Sequence, residues 1–354
     1  MQQIQHLRPS NWTSVELRNR VKIVSRNLAW KFAAFSMAVA CVLRAGELTP
    51  ASAHDLVRQT VDNELKADPG VKFMFRDHKQ TPHGSQTRLM VQTTEAMAGM
   101  TIAYDDHPLN PEQRQAEIAR NQRFLHDGDE LRKKRKQEKE NEERINRIMR
   151  ALPDAFLYEY DGAEPGKKGI GESGVELTRL RFRPNPKYDP PSRVEQVLTA
   201  MTGFMLIDPK KKRLARIDGT LSREVAFGWG IFGHLDKGGH FLVEQGELDG
   251  DHWEITRTDL AITGKVLLFK SIKFESSEVF SDFRQVPSNL TFAQGLEMLT
   301  KEAHSADNGT RTFAVKLPND SRLYRLPATS VFLFLPSASR SSLPLRDIRC
   351  LHRR

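Results

Sequence analysis

From Phe156 onward the chain repeats one pattern, short runs in which every second residue is apolar, each closed by a cluster of turn-forming residues. That alternation puts the apolar side chains of an extended strand on one face, and strands joined by tight turns pair antiparallel. Residues 156–160 and 175–182 read as strands around a Gly-rich loop at 162–174. Residues 204–207 and 214–217 form a hairpin across Asp208-Pro209-Lys210-Lys211-Lys212. Val225, Phe227 and Trp229 alternate next, Phe241 and Val243 follow the Lys237-Gly238-Gly239 turn, and Trp253 and Ile255 follow Asp249-Gly250, a strong hairpin signal. Val266, Leu268, Ile272 and Phe274 mark a last strand, apolar on both faces where Leu267 and Phe269 intervene. Val194, Val197, Leu198 and Met201 break the meander once with helical spacing.

The same signals precede this region. A helix is expected over 55–65, followed by strands carrying Val71/Phe73/Phe75, Leu89/Val91 and Met100/Ile102/Tyr104, the first two joined by Pro82-His83-Gly84-Ser85. Asn110, Pro111 and Gln113 are an N-cap, a first helical residue and a capping-box partner, opening a helix expected to run over 111–150. Between Asp127 and Arg147 it carries eight basic and seven acidic residues, a balance that reads as a solvated helix laced by i,i+4 pairs rather than a nucleic-acid patch. Its ends, through Ile118, Phe124, Leu125, Ile148 and Met149, are expected to dock while its middle projects. Thr291 and Gln294 cap a further helix in which Phe292, Leu296 and Leu299 share a face.

The net charge of +9 belongs to the two ends. Residues 1–53 hold seven basic and two acidic side chains, residues 305–354 nine and three, which leaves 38 basic against 40 acidic between 54 and 304. The body therefore gives no electrostatic reason to expect nucleic acid. Residues 32–43 are an apolar run behind Arg26 and Lys31, too short for a membrane span and followed by Ala51-Ser52-Ala53, the order of a secretory signal with processing near Ala53. The expected organisation is a signal and basic leader at 1–53, one sheet domain at 54–304 with the helix 111–150 inserted, and a poorly ordered basic tail at 305–354. The two cysteines are Cys41 and Cys350, so the processed chain would hold one thiol and no internal disulfide, compatible with periplasm. Membrane association is expected only if Cys41, at the end of Ala-Val-Ala-Cys, is lipidated.

Chemical motifs do not survive their context. Gly228-Trp229-Gly230-Ile231-Phe232-Gly233 satisfies GxGxxG, but a dinucleotide site needs that run between a strand and a helix of a parallel unit, and both flanks here read as antiparallel strands. His234, His240 and His252 match no zinc spacing, Asp105-Asp106-His107 reads as a turn, and no HExxH, CxxC or GxSxG occurs. No catalytic residue, metal or cofactor is expected. What remains is apolar: Phe227, Trp229, Phe241, Val243, Trp253, Ile255 and Leu268 sit at alternating positions of neighbouring strands. They line either a core packed against helices or a concave surface that helices cover in part, with room for a lipid chain.

The plan of signal peptide, first helix, antiparallel meander and inserted helices resembles that of the LolA/LolB-type lipoprotein carriers and acceptors, through Leu206-Ile207-Asp208-Pro209 followed by Leu214 and through the late strands from Trp253 to Phe274. The resemblance implies an α+β fold, a strongly curved antiparallel half-barrel with covering helices, that holds acyl chains without acting on them. The expected role is an exported, non-catalytic protein of the periplasm or envelope that binds a lipid or other hydrophobic ligand. The alternative is an exported scaffold that meets an envelope protein through residues 127–147.

Overall fold

The computed structural model describes residues 49–67, 70–228, 233–250, 252–266 and 270–307. Among them a single antiparallel sheet of thirteen strands carries five α-helices. The strands are β1 (Lys72–Thr81), β2 (Gly84–Val91), β3 (Ala98–Tyr104), β4 (His107–Pro108), β5 (Phe156–Pro165), β6 (Glu176–Pro184), β7 (Met201–Asp208), β8 (Arg213–Leu221), β9 (Val225–Phe227), β10 (Gly233–Leu235), β11 (His240–Asp249), β12 (His252–Val266) and β13 (Lys270–Val286). Their order is β4-β3-β2-β1-β13-β12-β11-β8-β7-β6-β5, so the sheet is open, and the first strand pairs with the last. The hairpin of β9 and β10 branches off β12. Residues 1–48 of the segment expected as a signal and basic leader, with Cys41, and the tail beyond 307 lie outside the described residues.

Helix α1 (Pro50–Lys66) starts at Thr49, whose hydroxyl accepts from the Ser52 amide, with Pro50 in the first turn. The Ala51-Ser52-Ala53 triplet therefore lies in that first turn, and the helix begins earlier than the apolar spacing alone implies. Ala53, Leu56, Val57 and Val61 form its buried stripe, and Glu64 Oε1 accepts from Arg213 Nε at 3.0 Å and from the Leu214 amide at 2.8 Å, which pins its end to β8.

The segment expected as one helix over 111–150 is two. Helix α2 (Pro111–His126) has the full capping box between Asn110 and Gln113 and ends at Asp127; helix α3 (Gly128–Ala155) starts from that residue, whose carboxylate accepts from the Asp129 amide. Gly128 and an extended Asp127 break the ladder, a break that charge patterning does not reveal. Helix α3 runs on past Pro153 in its last turn, where the Leu152 carbonyl takes the Tyr158 hydroxyl at 2.7 Å. Its middle does not simply project: Leu131 packs on the body and Glu138 accepts from the Met97 amide at 3.1 Å. Helix α4 (Arg193–Gln196) passes into a 3-10 turn at Val197–Ala200, and helix α5 (Phe292–Asp307) opens with the expected Thr291/Gln294 pair.

Two apolar layers flank this sheet's wing and middle. On the wing, Phe292, Leu296 and Leu299 of α5 fill the surface formed by Met74, Leu89, Val91, Ala96, Ala98 and Met100. At the middle, α3 crosses β8 and β11–β13, and space remains between them.

Candidate functional site

The space under α3 is a cavity of about 400 Å³, within the range of roughly 300–1,000 Å³ usual for small-molecule sites. Its floor is the sheet: Leu214, Ile217 and Leu221 of β8, Phe241, Val243 and Gln245 of β11, Ile255, Thr258, Leu260 and Ile262 of β12, and Ile272, Phe274 and Glu278 of β13. Its roof is α3, through Asn141, Arg144, Ile145, Ile148, Met149 and Leu152. Val194, Val197, Leu198 and Met201 close one end.

Local sequence explains each wall. The roof positions are spaced by three, one, three, one and three residues, one face of a helix, while Lys136–Glu140 and Lys139–Glu143 pair on the opposite, exposed side. On β12, Ile255 is of opposite parity to Thr258, Leu260 and Ile262, yet all four line the cavity. The register slips between Glu244↔Arg257 and Gln245↔Ile255, a β-bulge that spends one extra residue, Thr256, and so brings Ile255 to the face of the later side chains. Ile145 on the roof is 36% exposed and Ile255 on the floor 41%, so the apolar lining reaches solvent between helix and sheet.

Of the seven residues expected to bind a ligand, the structure brings Phe241, Val243 and Ile255 together in this cavity. Trp229 and Leu268 lie outside the described residues. Phe227 is buried on the short strand β9 and is not part of the lining. Trp253 corrects the reading of a common face: it packs with Ile170, Leu177, Leu206 and Ala215, with the Arg213 guanidinium 5.6 Å from its ring. It stands in regular register two residues from Ile255, but near the hairpin tip the Gly-rich loop folds against this end of the sheet, with the Gly171 amide on the Gln245 carbonyl, and Ile170 joins its cluster. Sequence reasoning missed the roof and the end wall, although the helical spacing of Val194, Val197, Leu198 and Met201 was the signal.

Polar groups enter at defined places. At the rim, His240 Nε2 stands 3.0 Å from Asp218 Oδ1, and burial would raise the Asp218 carboxyl, but His240 and Arg216 outweigh it and hold it below the ordinary value. On the floor, burial and then the charge of Asp77 push the Glu278 carboxyl up, against the pull of Lys79 and Arg88. Arg147 at 3.9 Å from Glu195 ties the roof to α4.

The other motifs resolve into structure. The GxGxxG run links β9 to β10, which pair antiparallel, and no helix follows it directly. Asp105 and Asp106, at φ 48° and 61°, form the turn between β3 and β4, and Asp105 Oδ1 accepts from the Ser85 amide. The three histidines do not converge: His240 meets Asp218, His252 Nδ1 meets the Asp249 carbonyl, and His234 meets Asp236. Glu224, His234 and Asp236 do gather ligand atoms within 4.8 Å of one another. Among the described residues no helix is long and apolar enough to cross a membrane. Compared with protein-family models, curated proteins and solved structures, the chain matches none.

Proposed function

We propose that this chain is a non-catalytic carrier that binds a lipid or other hydrophobic ligand in the cavity between α3 and the sheet. The observation that supports this most directly is an apolar lining on both walls that reaches solvent at Ile145 and Ile255. Large apolar side chains left accessible in a concavity lose the burial that ordinarily stabilises a core, and a hydrocarbon ligand restores it. In this reading the sheet is a half-barrel of the LolA/LolB type, α3 is its cover, and the protein is exported to the periplasm or envelope.

Two measurements test it. Mass spectrometry of organic extracts of the protein purified from its native envelope fraction is expected to find a co-purifying lipid, and the emptied protein is expected to take up an uncharged apolar dye such as N-phenyl-1-naphthylamine. A protein that yields no lipid and leaves the dye dark is not a carrier. N-terminal sequencing of the same material tests export, expected as a first residue near His54, early in α1; an intact residue 1 in the envelope fraction refutes processing.

A further inference from the structure

Glu278 is the acidic residue of the cavity lining, 7% exposed, and its Oε1 has no hydrogen-bond partner among the described residues. Lys79 Nζ makes an ion-pair approach to that atom at 3.4 Å, across the β1–β13 register that sets Lys79 opposite Glu278. Two further buried acceptors share this patch. Ser276 lies two residues along β13, and Asp77 lies two residues along β1; Ser276 Oγ and Asp77 Oδ1 are both without a partner, while Asp77 Oδ2 takes Arg88 Nε at 3.1 Å and Arg88 Nη2. A buried oxygen left without a donor is a cost that folded proteins rarely tolerate, and two such oxygens beside Glu278, whose own Oε1 meets only the Lys79 ammonium at 3.4 Å, mark a place next to the cavity where a donor belongs.

The charges decide what kind of donor. Asp77 and Glu278 face Lys79 and Arg88, two carboxylates against two cations, so the patch is already neutral. A ligand cation would leave a surplus positive charge and a ligand carboxylate a surplus negative one, each away from bulk water. Thr258, opposite Glu278 on β12 and also in the lining, adds a hydroxyl at the same spot. Resting on the carrier reading above, we propose that the cavity takes a single-chain amphiphile whose polar end is an uncharged hydroxyl, as in a fatty alcohol or a monoacylglycerol, seated on Glu278. The apolar walls hold the chain, and Glu278, with Thr258 beside it, accepts a hydrogen bond from the ligand hydroxyl.

The test is displacement of N-phenyl-1-naphthylamine from the full-length protein by four ligands of one chain length: dodecanol, monododecanoylglycerol, dodecanoate and dodecylammonium. The wild type is expected to bind at least one hydroxyl ligand about tenfold or more tighter than either ion, the penalty of a polar site that meets the wrong group; the two hydroxyl arms separate an alcohol from a glyceride. Glu278→Gln keeps the shape of the side chain and adds an N–H donor, so it is expected to narrow the gap to dodecanoate. Thr258→Val, folded as judged by circular dichroism, is expected to weaken the hydroxyl ligands alone. If the dye binds and all four ligands displace it equally, or an ion displaces it best, or Glu278→Gln changes nothing, the hydroxyl site is refuted and the carrier stands. If neither dye nor ligand binds, the carrier reading falls and this site with it.

Discussion

The wing of the sheet and its middle solve the same problem in opposite ways. Both present an apolar face and both receive a helix, yet α5 fills the space over β1–β3 and α3 leaves a cavity over β8 and β11–β13. Side-chain size accounts for the difference. On the wing, α5 turns Gly295 to the sheet, where an added Cβ would stand 2.8 Å from Thr93 Cγ2 and 3.0 Å from Val91 Cγ1, and the facing residues include Ala96 and Ala98. In the middle, Ile145, Ile148 and Met149 face Phe241 and Phe274, long side chains against long ones. The bonds from the Met97 amide to Glu138 in the middle of α3 and from Tyr158 to the Leu152 carbonyl at its end fix the helix at two points. Hydrophobic alternation alone does not separate a core from a cavity; the sizes of the residues on the covering helix do.

The sharpest way to break this comparison is to truncate one apolar residue on each helix. Phe292→Ala on α5 is expected to cost about 3–5 kcal/mol in chemical denaturation, because its tightly packed neighbours cannot close the gap. Ile148→Ala on α3 enlarges a space that already exists, so it is expected to cost about 1 kcal/mol or less while weakening dye uptake. Equal losses at the two positions would show that the middle is a packed core. A smaller effect is expected from Gly295→Ala. Alanine favours a helix over glycine by about 1 kcal/mol, but Thr93 is held by its hydroxyl on the Ala96 carbonyl at 2.6 Å and cannot move aside. A net loss of about 1–2 kcal/mol is therefore expected from overpacking, and a gain would mean that α5 stands farther off than described.

A further pair of variants separates the regions by pH. Glu117 of α2 is buried on the wing, and burial would raise its carboxyl, but the hydrogen bonds of Arg120 and the Thr101 amide, at 2.6 Å, outweigh it and hold it below the usual 4.5. A carboxyl depressed on folding contributes stability above its unfolded value and loses it as pH falls through the folded one. Glu117→Gln is thus expected to cost about 1–2 kcal/mol at neutral pH and to flatten the acid limb of the stability curve. Glu278 is shifted the other way, so its contribution is lost as pH rises through the window above 4.5. Glu278→Gln is expected to leave stability at neutral pH unchanged or slightly higher, and matched losses in the two variants would remove the distinction.

Much of this architecture was legible from residue patterns. The capping boxes at Asn110 and Thr291, the hairpins at Asp208 and Asp249, and the antiparallel flanks of the glycine run are local signals, and the structure carries each of them. What sequence did not reveal depended on partners far along the chain. A bulge at Thr256 changes which of two neighbouring residues faces the cavity, and nothing in the side chains themselves announces it. Trp253 found a separate cluster because Ile170 of the Gly-rich loop folds back beside it, with the Gly171 amide donating to the Gln245 carbonyl at 2.8 Å. The lining of α3 was hidden by its charge: Ile145, Ile148 and Met149 are too few to mark an amphipathic helix until Asn141, Arg144 and Leu152 are counted with them.

The pairing of Lys72 with Val286 has a consequence for the order in which the chain can be assembled. A strand made early must wait unpaired along one edge until the last one emerges, and contacts of such long range make folding slow, on the order of milliseconds to seconds. Glu278 and Phe274 belong to that last strand, so the cavity under α3 comes into being only when synthesis of the sheet is finished. A chain truncated within β13 is expected to expose β1 as a sticky edge and to aggregate rather than persist as a smaller folded domain.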